Sequence, residues 1–311
     1  MADYMNILVT GGAGFIGSNL VERLLKEGNK VAVIDNLSTG RREFLKEHMH
    51  KKNFRFLVGD ILDRGDLNNA MKGIDMVFHL AACSDVRRGT GTDLDLEQNI
   101  IGTNNVLQCM RLNGVKRIVF ASSQAIYGIT GSLVTEGYGP LLPESLYAAS
   151  KIACEAYISA FCKLFGMKSW IFRLANIVGR NQTHGIILDF IEKLRNNSKE
   201  MEILGDGKQT KSYMLVDDTI DGMLFALKKA DAILNIFNLG SRDATSATDI
   251  AEIVVKEMKL SSVKFRYTGG SGGWRGDVPK TKLSIDKIKR LGWKPQHSSN
   301  DAVRIATRCL L

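Results

Sequence analysis

Only four of the 311 residues are proline, and no apolar run approaches the length of a membrane span. With no internal repeat or low-complexity tract either, fibrous, disordered and membrane-spanning readings fall away, and the chain reads as globular. Cysteine is sparse. The five residues, at positions 83, 109, 154, 162 and 309, form no C-x-x-C pair, and no histidines stand near them at metal-ligand spacing. That excludes a disulfide scaffold and a structural zinc, so no metal is expected, and the thiols read as small buried hydrophobes in a reducing compartment. Acidic residues are outnumbered, 33 against 42 lysines and arginines, for a formal charge of +9. The basic residues are spread along the chain, with no helix-turn-helix or RNA-binding signature beside them. Nucleic acid is therefore not expected as a partner; an anionic cofactor and substrate are. The first strand pattern begins almost at once and leaves no room for a signal peptide, so a cytoplasmic protein without membrane attachment is expected.

Glycine, by contrast, is placed with purpose. The apolar run Ile7-Leu8-Val9 leads into Thr10-Gly11-Gly12-Ala13-Gly14-Phe15-Ile16-Gly17, and helical spacing of apolar residues follows. Glycines on a strand-to-helix turn allow a tight bend, close backbone approach to a pyrophosphate, and a helix packed hard on its strand. A second run, Val31–Ile34, ends in Asp35. It stands where an acid accepts hydrogen bonds from an adenosine ribose, and where a carboxylate would repel a 2′-phosphate. NAD is thus the expected cofactor, with Arg41 and Arg42 read as a solvated basic face.

Strand and helix patterns then alternate. Apolar runs at 54–58, 76–80, 117–120 and 169–174 are separated by helical stretches near 63–72, 97–113 and 145–165. This order predicts an α/β fold, a Rossmann-type doubly wound parallel sheet covered on both faces, with ligands at the carboxyl ends of the strands. Residues 1–176 are expected to form the dinucleotide-binding domain, with 214–240 returning to it through a strand at 234–239. Residues 177–311, richer in glycine turns, would mostly form a smaller C-terminal α/β lobe for substrate.

Tyr147 and Lys151 lie four residues apart in a helical stretch, on one face. Bringing a tyrosine of pKa about 10 to near 7 takes roughly 4 kcal/mol of phenolate stabilisation. A neighbouring ammonium and an oxidised nicotinamide are the expected sources. Such a tyrosine takes a proton from an alcohol while hydride leaves the same carbon. Ser123, at the end of a strand, is expected to hold the reacting oxygen, and Tyr127 is the alternative base.

With these motifs the chain resembles the extended short-chain dehydrogenase/reductases, specifically their nucleotide-sugar epimerase/dehydratase group. Further motifs carry the resemblance: Gly59-Asp60, His79-Leu80-Ala81-Ala82, Asn99 to Thr103, Ser122 to Gly128, Arg173 to Asn176, and Gly205 to Tyr213. Within the group the likeness is greatest to the UDP-sugar 4-epimerases. The resemblance implies a catalytic set of Ser123, Tyr147 and Lys151, and a homodimer through the helices near 97–113 and 145–165. It also implies cofactor contacts from Gly11, Gly14, Phe15, Ile16, Gly17, Asp35, Asn36, Asp60, Ile61, Leu80, Ala81, Ala82, Asn99, Tyr147 and Lys151. A UDP-sugar would be held by Ser123, Asn176, Lys211, Tyr213, Arg275 and Asp277.

Three positions depart from the group. Lys211 stands where arginine usually meets the diphosphate, and a lysine is a point charge without the bidentate fork. Trp274 takes the arginine's place beside Arg275, and Ala175 replaces a bulky aromatic, which would widen the sugar pocket. The dehydratases of the group place an Asp-Glu pair after the serine or threonine, whereas Ser123 is followed by Gln124 and Ala125. A uronate substrate would need a cation for its carboxylate, with Arg87 and Arg88 as the candidates; a non-catalytic NAD-binding regulator would be free to lose Tyr147 and Lys151. If Asp35 selects the cofactor, a titration of the purified protein should show tight binding of NAD and poor binding of NADP, and equal affinities would remove that role from Asp35.

Overall fold

A computed structural model describes residues 4–85, 89, 91–270 and 282–311. The chain forms two compact units. The first takes residues up to Ile126, Ser145–Arg173 and Ala226–Phe237, and the second takes Tyr127–Glu144, Leu174–Phe225 and Asn238 onward.

The first unit is built on a seven-stranded sheet. Its strands are β1 (Asn6–Thr10), β2 (Lys30–Asp35), β3 (Phe54–Val58), β4 (Met76–His79), β5 (Arg117–Ser123), β6 (Lys168–Leu174) and β7 (Leu234–Leu239), in the order β7-β6-β5-β4-β1-β2-β3. The pairs from β3 through β2, β1 and β4 to β5 are parallel. Ile7, Leu8 and Val9 are all buried, as are Met76, Val77 and Phe78, because helices cover both faces and neither strand has a solvent side to alternate with. Helix α1 (Phe15–Lys26) packs on β1 and β2 and buries Leu20, Val21, Leu24 and Leu25. On a shared core Leu8, Ile34, Val77, Ile118 and Ile171 meet Leu67 of α2 (Arg64–Ala70), Val106 and Met110 of α3 (Gly102–Leu112), and Ile158 and Phe161 of α4 (Leu146–Phe165). The chain order reverses between β1 and β4, the place at which sheets of this kind bind ligands beyond their carboxyl ends.

Leading into α3 is one stretch of π-helix, Asp95–Ile101, where apolar spacing alone predicts uninterrupted α-helix. The wider turn brings Asp95 and Asn99 inward together; both are buried.

In the second unit α5 (Ile186–Asn196), α7 (Ala247–Glu257) and α9 (Ser299–Leu310) contribute Ile187, Phe190, Ile250, Val254 and Val303 to a separate core. Between them lie α6 (Val216–Lys229) and α8 (Asp286–Arg290), and short strands pair two by two. Asn176–Val178 runs parallel to Tyr213–Leu215, and Thr210–Lys211 runs antiparallel to Thr245–Ser246. Among the described residues no helix is long and apolar enough to cross a membrane.

His79, at the end of β4, is fully buried between the hydroxyls of Thr10 (2.7 Å) and Thr103 (2.9 Å). Burial, aided by the nearby Lys151 ammonium, lowers its pKa from 6.5 to about 3. Between these values the unfolded chain binds more protons than the folded one. The stability contributed by neutral His79 is thus complete above pH 6.5 and is lost as the pH falls towards 3. Urea unfolding should show an acid-side slope to which this residue gives up to about 1.4 kcal/mol per pH unit. His79→Asn should flatten that slope; an unaltered slope would assign it to other groups.

Candidate active site

The glycine turn closes against the neighbouring strand end. Gly11 has φ +70°, and a Cβ there would lie 2.6 Å from the Ala81 nitrogen; one on Gly17 would lie 2.2 Å from the Gly11 carbonyl oxygen. Neither position has room for a methyl group. Leu80 donates its N–H to the Thr10 carbonyl and Ala81 donates to the Thr10 hydroxyl, so Leu80–Ala82 runs directly beside the turn. Helix α1 begins at Gly14 with no side-chain cap and no acid in its first turn. The first-turn amides of Phe15, Ile16 and Gly17 therefore lack the side-chain acceptor that would compete with an anion.

Asp35 is buried and accepts hydrogen bonds from Ala13 N–H (2.9 Å) and Leu37 N–H (2.8 Å). Burial outweighs these two bonds and raises its pKa. Asn36 donates to Asp60, and the other Asp60 oxygen accepts from Leu62 N–H. Ile61 is a core residue whose carbonyl accepts from Asn105, so its side chain belongs to the packing of this unit. Arg41 and Arg42 lie over Phe44 and Phe56. The uncapped helix end, the glycine cradle and the acid at the end of β2 together fit a dinucleotide whose pyrophosphate faces α1 and whose ribose faces Asp35.

Ser145 caps α4 by accepting from Ala148 N–H (3.2 Å), which fixes Tyr147 as the second residue of the helix and Lys151 one turn on. Ser123, from the end of β5, is hydrogen-bonded to the Tyr147 hydroxyl and accepts from Ala125 N–H. The Lys151 ammonium is buried. It donates to the Ala121 carbonyl at 2.9 Å and sits 4.7 Å from the Phe120 ring centre and 5.8 Å from that of Tyr147. The three residues expected to be catalytic are thus brought together.

Their electrostatics differ from the sequence-based expectation. Burial pushes Tyr147 up to about 12, against the lowering effect of the Ser123 hydrogen bond, and Asp95, Cys154 and Cys83 add to the rise. Lys151 is itself lowered by burial, with the same acids and thiols and Glu155 opposing. The protein alone holds Tyr147 as a phenol; the ammonium beside it does not bring it towards neutrality.

Asn99 is buried with both ends of its amide in use. Its carbonyl accepts from Cys83 N–H (2.8 Å), and its NH₂ reaches Ser150 Oγ (2.8 Å), Asp95 Oδ1 (3.1 Å) and the Cys83 carbonyl (3.3 Å). Ser150 in turn donates to the Tyr147 carbonyl. Asn99 therefore holds the first turn of α4 to the segment after β4 at Cys83. Asp95 and Ser150 were not singled out from the sequence, and Thr103 was named there only as part of a motif. A polar residue four places before Asn99 and another beside Lys151 are the only signals it offers.

In the second unit Asn176 and Tyr213 are register partners on adjacent strands, and Asn176 donates through both its backbone and side-chain nitrogens to the Ser212 carbonyl. Tyr213 is a core residue there. Lys211 stands two residues before it, on the strand facing Thr245. Tyr127, the alternative base, is fully buried and donates to Asn238 Oδ1 at 2.7 Å, so its hydroxyl is committed. Arg87, Arg88, Trp274, Arg275 and Asp277 lie outside the described residues. Among the described residues no cluster of His, Cys, Asp or Glu could hold a metal ion.

Comparison with known proteins agrees with this geometry. The family model described as "NAD dependent epimerase/dehydratase family" matches residues 7–240. A putative UDP-glucose 4-epimerase of Methanocaldococcus jannaschii is 35% identical over 96% of both chains. A solved UDP-galactose 4-epimerase is 38% identical, with a TM-score of 0.88 over 98% of both chains. A dTDP-glucose 4,6-dehydratase of Streptomyces venezuelae, solved with NAD, is 31% identical over 98% of this chain and 96% of its own, with a TM-score of 0.90. The strand order, the glycine turn ending at Gly17, Asp35, and the Ser123-Tyr147-Lys151 group all stand within the matched span, and the chain belongs to the NAD-dependent epimerase/dehydratase family, with NAD as its cofactor.

Proposed function

We propose that the protein is a UDP-glucose 4-epimerase, interconverting UDP-galactose and UDP-glucose by transient oxidation at C4 to a 4-keto sugar. The observation that carries this reading is the convergence of Ser123, Tyr147 and buried Lys151, with Gln124 and Ala125 after the serine. Bound NAD would supply the acceptor and donor of hydride and a positive ring charge. Ser123 orients the C4 oxygen. Tyr147 takes its proton on oxidation and returns it on reduction, and Lys151 supplies the adjacent positive charge. The raised Tyr147 pKa is consistent with a base that becomes competent only once the site is loaded.

A 4,6-dehydratase, the activity named for one structural relative, must also move protons at C5 and C6. Gln124 and Ala125 cannot do this, and that separates the two readings. In the proposed site Asn176, Lys211 and Tyr213 meet the nucleotide and diphosphate, together with Arg275 and Asp277. In this proposal the first unit binds the cofactor and the second serves the substrate; the expected boundaries, 1–176 with 214–240, are narrowed to those units.

Assembly as a homodimer belongs to the same proposal. Leu96 and Ile101 on the π-helical stretch, and Ala149, Ala156, Tyr157, Ala160 and Leu164 on α4, are exposed on the single chain, with Leu164 72% exposed. A second copy contributing the same two helices would cover them as a four-helix bundle.

The NAD-loaded protein should convert UDP-galactose to UDP-glucose with no added reductant, and Tyr147→Phe should lower kcat by about 10²–10⁴-fold while leaving NAD affinity nearly unaltered. Release of a 4-keto-6-deoxy sugar would mean a dehydratase, and turnover confined to UDP-uronates would move the substrate class. Light scattering at micromolar concentration should give twice the chain mass; a monomer would reject the dimer.

A further inference from the structure

Beneath the Ser123-Tyr147-Lys151 group lies a second cluster of polar side chains that no step of the proposed reaction uses. Ser122, Glu155 and Arg173 are each more than nine-tenths buried, at 3%, 8% and 5% exposure. Ser122 donates to Glu155 Oε1 at 2.6 Å. Arg173 donates through Nε to Oε1 at 3.1 Å and to Oε2 at 3.3 Å, and through Nη2 to Oε2 at 2.7 Å. The carboxylate is thereby saturated on both oxygens, which excludes it as a mobile acid or base.

The placement of the three residues is specific. Ser122 immediately precedes Ser123 at the end of β5, Glu155 lies one helical turn beyond Lys151 on α4, and Arg173 is near the end of β6. A buried ion pair of this kind gives little stability relative to apolar side chains of the same volume, because desolvation of both charges offsets their attraction. What it does provide is fixed distances among three elements and a carboxylate beside a buried ammonium.

We propose that Ser122, Glu155 and Arg173 are positioning residues of the active site: Glu155 ties the strand end that carries Ser123 to the helix that carries Tyr147 and Lys151. The groups facing Lys151 are His79 from β4, Cys83 from the segment after it, Asp95 from the π-helix, and Tyr147, Cys154 and Glu155 from its own helix. Two of these, Asp95 and Glu155, are carboxylates. Losing the charge of Glu155 leaves the Arg173 guanidinium buried without its counter-ion and Lys151 with Asp95 alone. The charged form of Lys151 is then less favoured, and it is lost at lower pH.

This inference rests on the proposed oxidation at C4, and two variants of the NAD-loaded enzyme test it. In Glu155→Gln, kcat for UDP-galactose should fall by about 10²-fold, the scale of a 1 Å misplacement. KM and NAD affinity should stay within threefold, and the alkaline limb of the kcat profile should move down by about one pH unit. The double variant Glu155→Met, Arg173→Met removes both charges together. It should keep a near-native thermal midpoint and bring the alkaline limb back, yet kcat should stay low because the tie to Ser122 is gone.

Wild-type kcat in the double variant would reduce the cluster to packing and overturn the proposal, as would an unmoved alkaline limb in Glu155→Gln. If the wild type leaves UDP-galactose untouched, the failure is that of the functional reading. The positioning is then read without substrate, from the pH at which the Tyr147 phenolate absorbs in the NAD-loaded protein, with Tyr147→Phe counterparts subtracted. In the double variant, which leaves the net charge unaltered, that onset should move to higher pH because Ser123 no longer steadies the phenolate; an onset equal to wild type overturns the proposal.

Discussion

An ammonium held out of water is the constraint around which the first unit is arranged. Lys151 has one carbonyl, two aromatic rings and two nearby carboxylates in place of its hydration shell, and a buried charge is costly unless such partners are fixed in place. The partners come from three elements. The Ala121 carbonyl and the Phe120 ring belong to β5, Asp95 to the π-helical stretch, and Tyr147 and Glu155 to α4. The junction of β5, the π-helix and α4 must therefore be rigid for the charge to be tolerated. The same rigidity holds the Tyr147 hydroxyl against Ser123.

The electrostatic character of the site follows from the same burial. A phenol enclosed with acids and thiols is held protonated, and a histidine enclosed with hydroxyls is held neutral. In both cases desolvation outweighs every pairwise interaction. In the proposed reaction, a tyrosine held as a phenol in the unloaded site would abstract no proton until the cofactor is bound.

Much of the first unit was legible in the sequence because its strands are buried on both faces. Uninterrupted runs such as Ile7-Leu8-Val9 and Met76-Val77-Phe78 admit little but a parallel sheet, and the runs at 54–58 and 234–239 coincide with β3 and β7. Among the described residues the helices from 186 onward were not read, since the strands around them, mostly two to four residues long, carry too little pattern to mark the elements between them. Tyr147 and Lys151 could be found because four residues along a helix is a local spacing. The partners of Glu155 could not: they stand 33 residues before it and 18 after it, and only the fold brings them together. The direction of the Tyr147 shift was hidden for a similar reason. Spacing reveals the ammonium next to the phenol, but not that the ammonium is buried and the phenol half-buried.

The glycine turn has a consequence for how this enzyme could change over generations. With Gly11 pressed against Ala81 and Gly17 against the Gly11 carbonyl, neither of these two positions of the turn admits a side chain that leaves the backbone where it is. Variation in cofactor preference is thereby channelled away from the turn and into Asp35 and the segment after it. Leu37 there already adopts a left-handed φ of 59°, and Gly40 approaches the Asp35 carboxylate closely. The phosphate end of the site is closed to drift, and the ribose end is where a lineage, or an engineer, would have latitude.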